Sequence, residues 1–187
     1  DLQQLSYGVS SDKQLSAFVA LGGETGSGKL SKVIEAVQKL EKVKHIDVLH
    51  SPVNSSQPIF KTLGKQTSIC FHRNLTDLSS LVTNADIVIA SYGHFAYEAI
   101  AAGAAVCLFG QKNFQSEYAQ RLHNAGLCVA GGVLASMSHS DIEKVICETI
   151  ENINILRNSS KVPLDGFGIQ RMAELISNDS DFDGCID

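Results

Sequence analysis

The chain has 187 residues, a net charge of −5 at pH 7 and an apolar content of 44%. These values are typical of a globular protein with one sizeable core, and they lack the basic excess that binding to nucleic acid or an anionic membrane requires. No run of about eighteen apolar residues is present, so we expect no membrane span. Because the first residue is Asp1 and not Met, we expect a piece of a larger protein.

The cysteines and histidines predict a reducing compartment and no metal site. Five cysteines, an odd number, lie at positions 70, 107, 128, 147 and 185 without CxxC spacing, so we expect a cytoplasmic protein without disulfides. Cys70, Cys107 and Cys128 occur in apolar strand-like runs, where a free cysteine behaves as a small core residue. The six histidines are scattered and lack the i, i+4 spacing of a helical metal site, so neither zinc nor another metal is predicted.

Short apolar runs alternate with helical patterns along the whole chain. The predicted strands cover residues 18–21, 45–49, 68–71, 87–90, 105–109 and 127–130. The predicted helices cover residues 30–40, 58–63, 75–82, 94–102, 115–124, 141–153 and 165–176. This alternation predicts an α/β fold with a Rossmann-like, doubly wound parallel sheet of about six strands. Residues 1–16 are assigned to a linker or entry segment, 17–177 to one domain and 178–187 to an acidic tail.

The segment from Ala85 to Gly110 reads as a βαβ unit around which the sheet is built. An apolar strand reaches the turn Ser91-Tyr92-Gly93, a helix carrying Glu98 follows, and a second apolar strand comes next. Ligands of such sheets bind beyond the carboxyl ends of the strands, against helix N-termini. The turn from Ser91 to Phe95 is therefore a predicted ligand-binding turn, with Glu98 about one helical turn inside.

A glycine-rich loop follows the first predicted strand. Gly23 to Lys29 matches the phosphate-binding pattern G-x-x-x-x-G-K between a strand and a helix. The next residue is Leu30, where a P-loop has the hydroxyl residue that binds magnesium, and Ser31 comes one position late. Three interpretations stay open: a P-loop phosphohydrolase that uses Lys29, a structural turn without ligand, and a loop that approaches the phosphates or sugar of another ligand.

Five segments in series carry a resemblance to a known family. They are FVALGG, a second strand, LTDLSSLVTNADIVIASYG, YEAIAAGAAVCLF and FQSEYAQRLHNAGL. From residue 7 to about residue 155 the chain resembles the C-terminal, nucleotide-binding domain of GT-B glycosyltransferases. It is most similar to the UDP-sugar hydrolases of pseudaminic acid synthesis and the muramyl-lipid N-acetylglucosaminyl transferases. The resemblance implies that residues 17–177 form one half of a GT-B fold and bind a nucleotide sugar, with UDP as the nucleotide.

The resemblance also implies a role for each predicted site residue. The glycine turns at Gly22-Gly23 and Gly93 would face the diphosphate, and Glu98 would accept hydrogen bonds from the ribose hydroxyls. The stretch from Phe71 to Asn74 would hold the uracil ring. The remaining predicted site residues are His94 and Phe95 beside the diphosphate, and Asn113 and Gln115 at the donor sugar.

Simpler roles remain open for three of these residues. Glu98 is also typical of a solvated helix face, Gln115 of a helix N-terminus, and His94 of a structural turn histidine. His94, Phe95 and Ala96 stand where family members usually have small hydroxyl residues, and the loop after Gly23 departs from the family's short one. These departures predict a different mode of diphosphate binding, a different ligand, or a lost one.

In a GT-B enzyme the active site lies between two domains, and the resemblance implies that the general base belongs to an N-terminal domain that this chain lacks. We therefore expect binding without catalysis, no catalytic residue and no cofactor. The parent reaction would be glycosyl transfer or UDP-sugar hydrolysis in the synthesis of sialic-acid-like sugars or surface polysaccharides. The alternatives are the P-loop phosphohydrolase and a degenerate GT-B domain that serves as a scaffold or dimerisation module.

The acidic tail contains a further short resemblance. Asp181-Phe182-Asp183-Gly184 resembles the opening motif of HAD-type phosphatases, which would place a phosphatase domain after this one. A disordered acidic end and an incomplete EF-hand loop are the other interpretations. The expected partners are thus a nucleotide sugar, the N-terminal GT-B domain and a following phosphatase domain.

Overall fold

The computed structural model describes residues 13–22, 26–50, 67–159, 164 and 167–178. Their strands are β1 Leu15–Ala20, β2 Val43–Leu49, β3 Ser68–His72, β4 Ile87–Ser91, β5 Ala105–Gly110 and β6 Val129–Val133. Their helices are α1 Ser27–Gln38, α2 Ser79–Asn84, α3 His94–Ala101, α4 Asn113–Asn124, α5 His139–Glu151, α6 Ile153–Ser159 and α7 Gly168–Asn178. A short 3-10 helix, Leu134–Ser136, follows β6.

The strands form a single sheet in the order β3-β2-β1-β4-β5-β6, and all neighbours pair in parallel. The chain starts at β1, builds outward to β3, and then returns to the other side of β1 with β4. The order therefore reverses between β1 and β4, which makes the carboxyl ends of these two strands the topological switch point. The predicted α/β doubly wound parallel sheet is confirmed.

The centre of the sheet is buried because helices cover both of its faces. Every residue of β5 is buried, and β4 is buried from Ile87 to Ala90. The helices α1, α5 and α6 contribute to the core on one face, and α2, α3 and α4 to the core on the other. Burial of each large side chain of this kind contributes about 1.5–3 kcal/mol, which explains why these strands are continuous apolar runs.

Helix α2 begins later than the sequence predicts. The prediction was a helix over 75–82 with Asn74 or Thr76 as its cap, whereas α2 starts at Ser79. Asn74 has a left-handed backbone with φ of 52°. The side chain of Asp77 accepts a hydrogen bond from the Ser79 backbone N–H at 2.8 Å. The segment before α2 is therefore a turn, because Asn74 has a non-helical backbone and the Asp77 side chain binds the local backbone in place of a helical ladder.

The remaining boundaries differ by a few residues. α1 starts at Ser27 and α4 at Asn113, each before the predicted start, and β6 lies two to three residues after the predicted strand. The sequence predicts Ser138 or Ser140 as the cap of the helix over 141–153, and Ser138 is the cap, since its hydroxyl accepts from the Asp141 N–H at 3.2 Å. α5 ends at Glu151 and a separate α6 follows, which was not predicted.

Other predictions concern the two ends of the chain and segments outside the described residues. β1 begins at Leu15, inside the segment 1–16 that was assigned to a linker. Residues 1–12, the predicted helix 58–63 and the acidic tail from residue 179 lie outside the described residues. None of the helices in the described part of the chain combines the length and hydrophobicity that crossing a bilayer requires.

The cysteines divide between the core and the surface. Cys107 and Cys128 are buried, as predicted, and burial raises the pKa of the Cys128 thiol to about 12. Cys70 is exposed, so its prediction as a core residue is wrong. The reason is that β3 is an edge strand with a single neighbour, and three of its five residues are exposed.

Candidate functional site

A cavity of about 260 Å³ lies at the topological switch point, beyond the carboxyl ends of β1 and β4. We call it the switch-point cavity. Its lining consists of residues 20–22, 91–95, 111 and 115. Of the predicted site residues, it brings together Gly22, Gly93, His94, Phe95 and Gln115. The turn from Ser91 to Phe95 thus lines a cavity at the edge where such sheets bind ligands, and its role in binding stays a prediction.

A chain of hydrogen bonds links the elements around this cavity. The Ser91 hydroxyl donates to the Leu21 carbonyl oxygen at 2.9 Å, and the Gln111 amide Nε2 donates to the Ser91 Oγ at 2.7 Å. The Lys29 ammonium donates to Gln111 Oε1 at 3.0 Å. These bonds place a positive charge one side chain away from the cavity. The sequence analysis missed Gln111, although it is the first residue after β5.

The turn from β4 to α3 is open on the cavity side. Gly93 is the N-cap residue of α3 and carries no side chain that could accept hydrogen bonds from the first helical turn. A Cβ atom placed on Gly93 would meet no heavy atom within 4 Å, so the space above this turn is empty. A helix N-terminus in this state is suited to an anion, because its N–H groups and dipole present partial positive charge.

Phe95 has a structural role in addition to its place in the lining. Its ring meets the fully buried Phe18 edge-on, with the ring centroids 5.8 Å apart and the ring planes at 87°. It also packs against the core formed with α2, α3 and α4. The bulky residue that departs from the family pattern is therefore held against the core, and Gly93 keeps the turn above it accessible.

Gln115 lines the cavity and at the same time holds the N-terminus of α4. Its Oε1 accepts from the backbone N–H groups of Gln111 at 2.8 Å and Lys112 at 3.1 Å, and its Nε2 donates to the Tyr92 carbonyl oxygen at 3.3 Å. These contacts support its interpretation as a helix N-terminus residue and leave one amide hydrogen for a ligand. Asn113 is exposed at the start of α4 and lies outside this lining.

Tyr92 of the predicted turn lines the switch-point cavity and contacts two further tyrosines, which the sequence did not point to. The Tyr92 ring stacks on Tyr118 with centroids 5.5 Å apart, and its hydroxyl is 2.8 Å from that of Tyr97. Partial burial, together with the hydrogen bond between the Tyr92 and Tyr97 hydroxyls, raises the pKa of Tyr92 to about 12. The phenol therefore stays neutral at physiological pH and leaves the anion-binding character of the turn undiminished.

A second cavity, of about 340 Å³, lies between α2 and α3 and is called the α2–α3 cavity. Glu98 lines it, as do Thr76, Asp77 and Phe95. Hydrogen bonds from the Ser79 side chain and backbone hold the pKa of Asp77 below its usual value, so this carboxylate is ionised. Because Phe95 lines both cavities, they are neighbours: one is bordered by a helix N-terminus and the other by carboxylates.

Four predicted site residues are not placed at either cavity: Asn113, Phe71, Asn74 and Gly23. Phe71 and Asn74 are exposed and contribute to neither lining. Phe71 alternates with Cys70 along β3 and therefore shares a sheet face with Ile69, which packs on the α1 side. The α2–α3 cavity belongs to the other face. Gly23 lies outside the described residues.

The structure also gathers residues that the sequence analysis described as scattered. Asp47, Cys70 and His72 have ligand-type atoms that all lie within 4.8 Å of one another, on the neighbouring strands β2 and β3. The histidines lack the spacing of a helical metal site, but the pairing of β2 with β3 brings His45 and His72 to the two carboxylate oxygens of Asp47. The missed signal is the i, i+2 spacing of His45 with Asp47 and of Cys70 with His72, which places each pair on one face of a strand.

The chain is similar in sequence to one long archaeal protein, and no protein-family model matches it. It is 25% identical over 158 residues to the uncharacterised protein MJ1062 of Methanocaldococcus jannaschii. The alignment covers 79% of this chain and 33% of that protein, so the chain spans about a third of the length of its relative.

Solved structures identify the fold. MurG of Acinetobacter baumannii matches with a TM-score of 0.66 and 16% identity over 90% of this chain and 51% of its own. WaaG, a glycosyltransferase involved in lipopolysaccharide biosynthesis, matches with a TM-score of 0.62 and 16% identity, over 89% of this chain and 47% of its own. The spinosyn rhamnosyltransferase SpnG in complex with thymidine diphosphate matches with a TM-score of 0.60 and 16% identity, over 92% of this chain and 44% of its own. This chain spans about half the length of each, and it has the fold of one Rossmann-like half of a GT-B glycosyltransferase.

Proposed function

We propose that this chain is the C-terminal-type, nucleotide-sugar-binding half of a GT-B glycosyltransferase or UDP-sugar hydrolase-like protein, and that its nucleotide is UDP. The observation that carries the proposal is the pairing of two adjacent cavities with opposite electrostatic character. The switch-point cavity has the N-terminus of α3 and, through Gln111, the charge of Lys29. The α2–α3 cavity has the carboxylates of Asp77 and Glu98.

This pairing matches the two chemical ends of a nucleoside diphosphate. The diphosphate binds against the α3 N-terminus above Gly93, because partial positive charge and open space suit an anion there. The ribose lies across Phe95, where the Glu98 carboxylate accepts hydrogen bonds from its hydroxyl groups. The uracil ring then occupies the α2–α3 cavity near Thr76, so that Phe71 and Asn74 stand outside the site.

The neighbouring structures support the nucleotide but leave its base to experiment. SpnG, which shares this half-fold, is a structure with thymidine diphosphate bound. Thymine differs from uracil by one methyl group, so the two bases present the same hydrogen-bonding edge. The sequence resemblance to UDP-sugar enzymes favours UDP for this chain.

The remaining parts of the reaction belong to the other half of the enzyme. In this proposal an N-terminal Rossmann-like domain supplies the general base, and the chain described here holds the donor. The parent reaction is glycosyl transfer or hydrolysis of a UDP-sugar in a cytoplasmic route to sialic-acid-like sugars or surface polysaccharides. A HAD-type phosphatase domain after the acidic tail would fit the same route.

The P-loop phosphohydrolase is the main alternative. It requires Lys29 to reach the β- and γ-phosphates of a nucleoside triphosphate. In the structure the Lys29 ammonium is bonded to Gln111 at the end of β5, and Leu30 stands at the position of the magnesium-binding hydroxyl. This contact supports a role for Lys29 as a neighbouring charge for a diphosphate at Gly93.

Calorimetric titration of the chain with UDP, CMP and ATP–magnesium tests the proposal. UDP is expected to bind. Gly93→Val should lower the affinity for UDP at least ten-fold, because the new side chain fills the empty space above the turn. Glu98→Ala should weaken UDP about ten-fold, since a hydrogen bond to a charged group contributes about 1.5–3 kcal/mol. Glu148→Ala, an exposed glutamate on α5 across the sheet, is the matched control and should leave the affinity unchanged.

The outcomes separate the candidate functions. Binding of ATP–magnesium alone, abolished by Lys29→Ala, would replace the proposal with the P-loop phosphohydrolase. Binding of none of the three nucleotides by the folded chain would favour the scaffold or dimerisation module. UDP binding that survives Gly93→Val would refute the placement of the diphosphate.

A further inference from the structure

One face of the strands β2 and β3 carries a cluster of metal-ligating side chains away from both cavities. The cluster consists of His45 and Asp47 on β2 and of Cys70 and His72 on β3. The parallel register pairs Asp47 with Cys70 and Leu49 with His72. We call these four residues the edge cluster, because β3 is one of the two edge strands of the sheet in the described part of the chain.

The sequence places these residues together through strand alternation. On β2, Ile46 and Val48 are buried against the core on the α1 face, so His45 and Asp47 point to the opposite face. Cys70 is exposed, and the exposed fractions of the His45, Asp47 and His72 side chains are 42%, 19% and 22%. The cluster is therefore accessible to an ion from solvent.

Asp47 is held in place by both histidines. His72 Nε2 lies 2.6 Å from Asp47 Oδ1, and His45 Nε2 lies 3.1 Å from Asp47 Oδ2. The other ring nitrogen of His45, Nδ1, is 2.7 Å from the Ser68 hydroxyl, which donates to the Lys44 carbonyl oxygen. These contacts orient the carboxylate on a rigid sheet, as metal sites require of their ligands.

We propose that Asp47, Cys70 and His72 bind one divalent transition-metal ion of the zinc class, and that His45 is a positioning residue that holds Asp47. The three ligand atoms already lie within 4.8 Å of one another. Ligands of a tetrahedral zinc ion, at about 2.0–2.3 Å from the metal, lie about 3.3–3.7 Å apart, so side-chain rotations alone complete the site. Water takes the fourth position, because the cluster faces solvent.

The donor set selects the metal. A thiolate and an imidazole favour zinc and its neighbours among the first-row transition metals, whereas magnesium and calcium require oxygen ligands. The ion enters between His72 Nε2 and Asp47 Oδ1, which lie 2.6 Å apart, and it binds Cys70 as the thiolate, because metal ligands must be deprotonated. Metal binding therefore releases protons and strengthens as pH rises.

The bound metal links the edge strand β3 to β2. β3 has a single neighbour in the sheet, and most of its side chains are exposed, so it has the fewest contacts to lose on local unfolding. An ion held by one ligand from β2 and two from β3 restrains this strand. A ligand that binds only the folded state also raises the unfolding temperature.

Titration with Co²⁺, the spectroscopic substitute for zinc, tests the proposal on the reduced full chain without an affinity tag. We expect saturation at one equivalent, with visible bands of tetrahedral cobalt and a thiolate-to-cobalt band in the near ultraviolet. Zinc should then displace cobalt and abolish the bands. Cys70→Ser should remove the thiolate band and weaken binding about 100-fold or more, and His72→Gln should weaken it about as much.

Matched variants separate this site from binding elsewhere. Cys147→Ser and His139→Gln change the same residue types on α5 and should leave the cobalt spectrum intact. Cys185→Ser changes the thiol of the acidic tail, outside the described residues, and should do the same. His45→Gln should keep the thiolate band while weakening affinity about ten-fold, as expected of a residue that acts through Asp47.

The result that overturns the proposal is equally specific. A cobalt spectrum without a thiolate band, or one that Cys70→Ser leaves unchanged in a chain that remains folded by circular dichroism, would show that the edge cluster binds no metal. Loss of the band with Cys185→Ser instead would assign the metal to the acidic tail. The zinc-induced rise in unfolding temperature must likewise disappear with Cys70→Ser.

Discussion

Two glycines at the ends of neighbouring strands have very different surroundings. Gly93 follows β4 and Gly110 ends β5, and each leads into a helix. A Cβ atom on Gly110 would lie 2.7 Å from the Ser116 backbone nitrogen and 2.9 Å from the Lys112 carbonyl oxygen, whereas one on Gly93 would meet nothing within 4 Å. The chain itself fills the space at the end of β5 and leaves the space at the end of β4 open.

The two helices that follow differ in the same sense. The N-terminus of α4 is occupied by the amide of Gln115, which accepts from two backbone N–H groups. The N-terminus of α3 has a glycine as its N-cap residue. An occupied helix end contributes to stability, while an open one is available to an anion. The start of α4 is thus held by a side chain of the protein itself, and the start of α3 is not.

Alanine at each glycine gives the largest expected difference in stability. Gly110→Ala should lower the free energy of unfolding by about 1–3 kcal/mol, because the methyl group overlaps backbone atoms that cannot move aside. Gly93→Ala should change it by less than about 0.5 kcal/mol, because its backbone is extended and its surroundings are empty. Urea unfolding of both variants measures the difference, and equal losses would contradict it.

The cap of α4 gives a smaller effect. Gln115→Ala removes the acceptor for the N–H groups of Gln111 and Lys112 and should cost about 1 kcal/mol, as the loss of a helix cap usually does. Gln120→Ala on the same helix removes a single exposed contact to Asn124 and serves as the control, with an expected loss below about 0.5 kcal/mol. The same urea titrations compare them. A loss no greater than that of Gln120→Ala would show that water replaces the cap.

The comparison also explains what the sequence could predict. The strands β4 and β5 and the turn after β4 are local patterns, since apolar runs, a small-residue turn and helical periodicity are all read within a few residues. The role of Gln115, by contrast, stayed open because it depends on a contact between distant parts of the chain. Its contact with the Tyr92 carbonyl oxygen joins positions 23 residues apart and requires the tertiary structure.

The edge cluster could not be predicted from any single segment of the sequence. His45 and Asp47 precede Cys70 and His72 by more than twenty positions, and only the register of β2 with β3 brings the pairs together. A slip of this register by one residue would move one pair to the other face of the sheet. Spacing at i, i+2 in two predicted neighbouring strands is the signal that could have indicated the cluster, because parallel pairing aligns such pairs.

The smallest expected effect concerns Tyr92, which connects the two turns through its carbonyl contact with Gln115. Partial burial, with the Tyr97 hydrogen bond, raises the pKa of Tyr92 to about 12, above the value of about 10 for an unfolded chain. Between about pH 10 and pH 12 the folded chain therefore holds the phenol proton of Tyr92 more tightly than the unfolded chain does. The resulting stabilisation is fully present below about pH 10 and is lost as pH rises towards 12. Urea unfolding between about pH 9 and 11 should therefore show a steeper loss of stability in the unmodified chain than in Tyr92→Phe, which has no phenol to ionise. Parallel pH profiles would show that the Tyr92 hydroxyl is as well solvated in the folded chain as in the unfolded one.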